Sequence, residues 1–202
     1  MTVSKSFLEA VRARRTFYQL VNKSPVPDSR IVELVNEAIL HTPSAFNSQS
    51  TRLVVLLKKD HEKLWDIAKE TLKAILPAEA FAATNQKLNG FQSGYGTILF
   101  FEDSVPIKNL QEKFAVYADR FPVWSEHTSA MHQFFLWTAL EEEGFGASLQ
   151  HYNPLIDESV KKEWNIPSDW QLKAQLVFGT PTSEPTKKAY QPQEERVFVH
   201  GI

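Results

Sequence analysis

The chain has 202 residues, of which 43% are hydrophobic, and this length and balance predict a single globular domain over residues 1–202. Its formal net charge of -2 argues against nucleic-acid binding, which needs a basic face. The absence of cysteine excludes disulfides, thiolate metal sites, iron–sulfur clusters and cysteine nucleophiles.

In the first half of the chain, the spacing of apolar residues predicts four helices and one strand. The continuous apolar run LVVLL at residues 53–57 is typical of a strand buried on both faces. Asp28 and Asp60 are predicted to cap the second and third helices. The predicted helices cover residues 7–15, 28–39, 60–75 and 78–90.

In the second half, strands alternate with groups of helices. Strands are predicted at 97–101, 147–152 and 172–179, and helices at 110–121, 125–143 and 157–164. Because the helices are grouped and βαβ alternation fails, the predicted class is α+β. The Pro-rich tail ends in a strand-like segment, VFVHG, which has no obvious partner in its own domain. One explanation is that this segment pairs with another subunit.

No apolar run approaches the roughly 20 residues that cross a membrane. The N-terminal segment also lacks the apolar stretch of a signal peptide. We therefore expect a cytoplasmic protein without membrane association.

Three polar segments could carry chemistry, and each also has a purely structural interpretation. In RARRT at 12–16, the arginine guanidinium groups and the threonine hydroxyl could bind a phosphate. In the structural interpretation, the same cations offset the dipole at the C-terminus of a helix. In HTPSAFNSQSTR at 41–52, amide and hydroxyl side chains could bind a heterocycle or a ribityl chain. In the structural interpretation, the segment is a turn whose Ser and Asn side chains form hydrogen bonds with its own backbone. In EEEGFGASLQHY at 141–152, the two glycines could allow the backbone to lie close to a ligand. In the structural interpretation, a glycine ends the preceding helix.

The six histidines do not form a recognisable catalytic or metal-binding pattern. His127 and His132 are five residues apart, which does not place them on one helix face, and no HExxH sequence is present. Ser129 lies outside any GxSxG context. We therefore expect neither a metal site nor a serine hydrolase.

Three segments, in this order along the chain, resemble the nitroreductase family. RRTFY at 14–18 is similar to the family's Arg-Arg-Ser phosphate motif. PSAFNSQ at 43–49 is similar to its Pro-Ser-x-x-Asn-x-Gln loop, and EEGFGASLQHYNP at 142–154 to the Gly-x-Gly segment beneath the flavin. The short subgroup named for the fatty acid repression mutant is similar across nearly the whole chain, including GTILFFED at 96–103 and PQEERV at 192–197.

The resemblance implies an α+β fold with a central antiparallel sheet flanked by helices. It also implies an obligate homodimer with a C-terminal segment that reaches the partner subunit, and FMN held at the dimer interface. NADH or NADPH would donate hydride to FMN N5, and nitroaromatics, quinones or flavins would accept it in a ping-pong reaction. Because this chemistry belongs to the cofactor, no catalytic side chain is expected.

The resemblance also implies roles for individual residues. Arg14, Thr16 and Lys188 would bind the phosphate, Ser44, Asn47 and Gln49 would line the isoalloxazine and ribityl, and Leu149 and Gln150 would lie near the ring.

The sequence departs from the family at both phosphate-binding segments. Tyr18 stands where many members have a further arginine, and Ala189 and Tyr190 follow Lys188 where many have Lys-x-Arg. Phosphate contacts are therefore fewer, or are redistributed onto Arg15 or Arg196.

Two other functions are compatible with the sequence. A non-catalytic flavin-binding regulator of lipid or stress responses would bind FMN without turnover of NAD(P)H. A helical interaction module without cofactor would give a colourless protein.

Overall fold

A computed structural model describes residues 5–202 and has one antiparallel sheet of five strands between two layers of helices. The helices are α1 (Phe7–Ala13), α2 (Asp28–His41), α3 (Lys59–Ile75), α4 (Ala78–Gln92), α5 (Ser104–Lys113), α6 (Phe121–Glu142) and α7 (Asp157–Glu163). The strands are β1 (Leu20–Val21), β2 (Thr51–Leu57), β3 (Gly96–Asp103), β4 (Gly146–Gln150) and β5 (Trp170–Pro181). Short 3-10 turns lie at Ala45–Asn47, Ala115–Tyr117 and Gln193–Glu195.

Strand β5 pairs with three of the other four strands of the sheet. It pairs in antiparallel orientation with β3 on one side, and with β4 and the short β1 on the other. Strand β2 extends the sheet as the antiparallel neighbour of β3. The predicted α+β class and the central antiparallel sheet are therefore confirmed.

Both faces of the sheet are buried, which explains why its strands are continuously apolar. Along β3, Leu99 and Phe101 belong to one hydrophobic cluster, whereas Ile98 and Phe100 belong to the other. This alternation follows the two-residue period of a strand. Trp65 of α3 anchors the first cluster. Helices α3, α4 and α7 contribute buried side chains to that cluster, and α2 and α6 to the second.

The helical region between β3 and β4 differs from the prediction. The helix predicted at 110–121 is instead α5, which begins at Ser104 because the Asp103 side chain accepts a hydrogen bond from the Val105 N–H at 2.9 Å. The helix predicted to begin at residue 125 begins at Phe121, and Pro122 occupies its favoured place in the first helical turn.

Several predicted boundaries and caps are also wrong. Asp28 is the first residue of α2 rather than its cap, and α3 begins at Lys59, so Asp60 is already helical. Strand β4 ends at Gln150, two residues before the predicted end. The VFVHG segment at 197–201 forms no strand in the single chain, and the two-residue strand β1 was not predicted.

No helix among the described residues is both long enough and apolar enough to cross a membrane.

His61 lies buried between α3 and the sheet in a chain of hydrogen bonds. Its Nε2–H donates to the Gln92 carbonyl at 3.2 Å, which leaves Nδ1 to accept from the Thr97 hydroxyl at 2.9 Å. Trp65 Nε1–H donates to the same hydroxyl oxygen at 3.2 Å. Burial disfavours the charged ring and lowers the pKa of His61 to about 4.

We predict that the stability of the fold depends on pH through His61. The unfolded chain takes up this proton near pH 6.5 and the folded chain only near pH 4, so stability is complete above pH 6.5 and falls as the pH drops through this window. The expected loss is about 3 kcal/mol. Urea unfolding from pH 7.5 to 4 measures it, and His61→Gln should flatten the profile relative to His41→Gln, which removes an exposed histidine. Equal profiles for the two variants would contradict the assignment.

Candidate functional site

The first candidate site is a cavity of about 580 Å³ to which distant parts of the chain contribute. The segment after α1 supplies Arg14, Arg15 and Thr16, β4 supplies Leu149, and the tail supplies Lys187 and Lys188. Helix α6 forms the remaining wall, in which Trp137 lies. We call this the basic cavity.

Two backbone contacts bring these segments together. The Phe17 N–H donates to the Ala147 carbonyl at 3.0 Å, which holds the segment after α1 beside β4. The Arg15 guanidinium donates to the Thr186 carbonyl, which draws the start of the tail onto the same region. Residues more than 170 positions apart therefore line one cavity.

The glycines of the Gly-x-Gly segment have structural roles within the chain. Gly144 ends α6 with a φ of +89°, a left-handed conformation that glycine adopts without strain. A Cβ atom on Gly146 would lie 2.9 Å from the Cβ of Phe17, so glycine there permits the close approach of the segment after α1.

The basic cavity carries an excess of positive charge, which Glu141 offsets only in part. Arg14, Arg15, Lys187 and Lys188 form no ion pair with a carboxylate anywhere in residues 5–202. The Arg14 guanidinium lies 4.5 Å from the centre of the Trp137 ring, in cation–π geometry. Burial, and then repulsion by Arg15, lowers the pKa of Arg14.

An unsatisfied donor lies in the wall of the same cavity. Trp137 Nε1 is buried and has no hydrogen-bond partner among residues 5–202. A buried polar group without a partner is costly, and together with the excess cations it makes an anion with several oxygen atoms a suitable occupant. The residues present therefore fit a phosphate group.

The second candidate region is the loop between α2 and β2, which has a constrained backbone. Phe46, Asn47 and Gln49 all have positive φ values, between 47° and 54°. The Ser44 hydroxyl accepts the Gln49 N–H at 3.0 Å, and the Arg52 guanidinium donates to the Gln49 carbonyl at 2.7 Å. Such strained conformations persist where the surroundings enforce them, commonly at functional sites.

Two further contacts anchor this loop to the rest of the chain. The Arg52 guanidinium pairs with the Asp103 carboxylate at 2.8 Å, which ties the loop to the end of β3. The Phe46 ring stacks on Trp124 of α6 with centroids 5.8 Å apart. The loop is therefore held in place before any ligand binds.

A smaller cavity of about 130 Å³ lies beneath the loop. It is lined by Ser44 and Gln49, by Thr42 and Thr51, and by His132 of α6. Burial lowers the pKa of His132. We call this the loop cavity; it shares no lining residue with the basic cavity.

The structure thus divides the predicted site residues into two groups. Arg14, Arg15, Thr16, Leu149 and Lys188 line the basic cavity, and Ser44 and Gln49 line the loop cavity. Asn47 is exposed and lines neither cavity, and Gln150 instead donates to the Ser148 hydroxyl at 2.6 Å. Of the two arginines proposed to take over phosphate contacts, Arg15 lines the basic cavity and Arg196 does not.

Sequence reasoning missed Trp137, Tyr18 and Thr42 as cavity residues. Trp137 lies in an apolar helix, and its type suggests only core packing. In residues 5–202, no three His, Asp or Glu side chains gather in a way that could hold a metal ion.

Comparison with known proteins identifies the family. A sequence model of the nitroreductase family matches residues 11–180. HBN1 of Saccharomyces cerevisiae is 36% identical over 98% of this chain and 100% of its own. The nitroreductase FRM2 of the same yeast is 34% identical over 100% of this chain and 97% of its own.

Solved structures agree with this assignment. Nitroreductase CinD of Lactococcus lactis, in complex with chloramphenicol, is 46% identical and matches 97% of this chain and 100% of its own with a TM-score of 0.89. CinD has also been solved with 4-nitrophenol. A nitroreductase-fold protein from Desulfovibrio desulfuricans, in complex with FMN, shares the fold at 18% identity, with a TM-score of 0.69 over 99% of both chains. The chain described here belongs to the nitroreductase family, as the order of its three sequence motifs indicated.

Proposed function

We propose that this protein is an FMN-dependent oxidoreductase that takes hydride from NADH or NADPH and passes it to small acceptors such as nitroaromatics or quinones. The whole chain, 1–202, would form one FMN-binding domain. The observation that carries the proposal is the excess of positive charge of the basic cavity, which fits the single terminal phosphate of FMN.

Each part of the basic cavity has a role in this proposal. Arg14, Arg15 and Lys188 would hold the phosphate, and the Trp137 indole would donate its free N–H to an oxygen of the same ligand. Leu149, which lines the same cavity, would offer an apolar surface to the ring. FMN, when bound, supplies the hydride-accepting atom, so the protein needs only to bind and orient the two reactants.

Exposed apolar side chains support a homodimer. On α6, Val123, Met131 and Phe134 are each at least 40% exposed, although a helix that is apolar on all sides is normally buried. The tail adds Phe198 and Ile202, which are 75% or more exposed. A second copy would cover these surfaces, and the tail would find its partner there.

The same dimer would complete the site. Ser44 and Gln49 lie on a cavity separate from that of Arg14 and Lys188. We propose that the loop of one subunit contacts the flavin whose phosphate is bound by the other subunit. The unpaired strand-like segment at 197–201 would reach across the same interface.

Relatives support the cofactor and the class of acceptor. The Desulfovibrio protein of the same fold was solved with FMN, and CinD with the nitro compounds chloramphenicol and 4-nitrophenol. These ligands belong to those proteins; for this chain they support nitroaromatic acceptors as the first to test.

Two measurements test the proposed function. Purified protein should be yellow and release FMN on denaturation, and NAD(P)H should be consumed when 4-nitrophenol or a quinone is added. FMN binding without turnover would favour the non-catalytic regulator instead. A colourless protein that takes up no added FMN would disprove the proposal.

We predict that Arg14→Ala weakens FMN retention. It removes a charge-assisted contact worth roughly 1.5–3 kcal/mol, so the Kd for FMN should rise at least about tenfold. Fluorescence titration of the apoprotein measures this. Arg120→Ala is the matched control, because Arg120 is exposed and pairs only with its neighbour Asp119. An unchanged Kd for Arg14→Ala would contradict the proposal that the basic cavity binds the phosphate of FMN.

We predict that removal of residues 192–202 dissociates the dimer. This truncation preserves Lys187, Lys188 and all of β5, but removes Phe198 and Ile202, whose apolar surfaces need a partner. Analytical ultracentrifugation should then detect monomers, and FMN content should fall because each site would lose the partner's loop. A truncated chain that sediments as a flavin-loaded dimer would show that the tail has no such role.

A further inference from the structure

His132 is an almost completely buried histidine with a fixed orientation. Its side chain lies on α6, and the residue is 3% exposed. Nδ1 lies 2.9 Å from the carbonyl oxygen of Thr128, so this nitrogen carries the proton and donates it. Nε2 therefore presents a lone pair and can only accept a hydrogen bond while the ring is neutral.

A buried network of hydrogen bonds contacts the same nitrogen of the ring. The Thr51 hydroxyl donates to the Glu102 carboxyl at 2.6 Å, and its oxygen lies 3.3 Å from His132 Nδ1. Ser50 and Ser125 donate to the other carboxyl oxygen of Glu102, at 2.5 Å and 2.7 Å. Because the Thr51 proton is committed to Glu102, its oxygen can only accept from Nδ1–H, which reinforces the same tautomer.

The acceptor on Nε2 has no partner of its own. Within residues 5–202, the only hydrogen bonds of the His132 ring involve Nδ1. The ring lines the loop cavity beside Thr42, whose hydroxyl oxygen is also buried without a partner. Ser44 and Gln49, which the proposed function places against the flavin, line the same cavity. The buried, unpartnered hydroxyl of Thr42 and the free Nε2 of His132 around one small space indicate a site for a polar ligand group.

We propose that His132 is a flavin-binding residue whose Nε2 accepts a hydrogen bond from a donor group of the bound FMN. This inference rests on the proposed function, because it requires FMN beside the loop. The donor would be the N3–H of the isoalloxazine or a ribityl hydroxyl, since these are the groups of oxidised FMN that can donate away from the phosphate. Burial, which lowers the pKa of His132, keeps the acceptor neutral at pH 7.

Titration of apoprotein with FMN tests the proposal. Loss of one neutral hydrogen bond in His132→Leu should raise the Kd for FMN about three- to tenfold. His132→Gln should restore most of the affinity, because its amide oxygen can replace Nε2 as acceptor. His127→Leu is the control, since His127 is exposed on the same helix. At saturating FMN, the rate of flavin reduction by NAD(P)H should stay within about tenfold of wild type in His127→Leu.

An FMN analogue methylated at N3 identifies the donor. If N3–H is the donor, the analogue binds wild type and His132→Leu equally. If a ribityl hydroxyl is the donor, the analogue retains the full difference between the two proteins.

A second measurement needs no variant that could fail to fold. The ¹⁵N resonance of His132 Nε2 in the wild-type protein should shift upfield when FMN is added, as a nitrogen lone pair does on accepting a hydrogen bond. The resonances of His61, buried elsewhere, should not move.

The outcomes separate the two proposals. If wild type binds FMN, but His132→Leu binds it equally well and the Nε2 resonance does not move, the role of His132 is wrong and the proposed function stands. If wild type takes up no FMN at all, the proposed function itself fails.

Discussion

The excess of positive charge around the basic cavity is the constraint on which the proposed function of this protein depends. Arg14 is partly buried against Trp137, and Arg15 and two tail lysines line the same cavity; none of the four forms an ion pair within residues 5–202. Like charges in a partly desolvated space repel, so the arrangement costs stability unless an anion occupies it. The contacts of Phe17 with Ala147 and of Arg15 with Thr186 maintain this arrangement, and the rest of the fold supports those contacts.

Charge alone would not make a flavin site, and the second half of the proposed site lies elsewhere on the same chain. The loop from Ser44 to Gln49 is held by Arg52 and by the stacking of Phe46 on Trp124. Its cavity contains the free acceptor of His132 and the free hydroxyl of Thr42. A dimer would bring the basic cavity of one subunit beside the loop cavity of the other, and it would also bury the apolar surface of α6. Dimerisation alone would therefore explain both the divided site and the exposed apolar surface.

The sequence predicted those parts of the fold that local patterns determine. The buried strands β2, β3 and β5 were found because their apolar runs are continuous, and α+β class followed from the grouping of helices. The start of α5 was missed because Asp103 ends a strand and caps a helix at the same time. Cavity-lining residues were predicted where they lie in short motifs, as Arg14 and Ser44 do. Trp137 and the network of Glu102 with His132 could not be found, because only long-range packing brings their members together.

A complementation experiment tests most directly whether the site is shared between two subunits. Arg14→Ala damages the phosphate half, and Gln49→Gly damages the loop half without straining the positive φ at that position. Each homodimer has two defective sites, whereas a heterodimer of the two variants has one intact site and one with both defects. We predict that purified heterodimers recover about half of the wild-type FMN content and of the flavin reduction by NAD(P)H. Heterodimers that bind no more FMN than either variant alone would contradict a site shared between subunits.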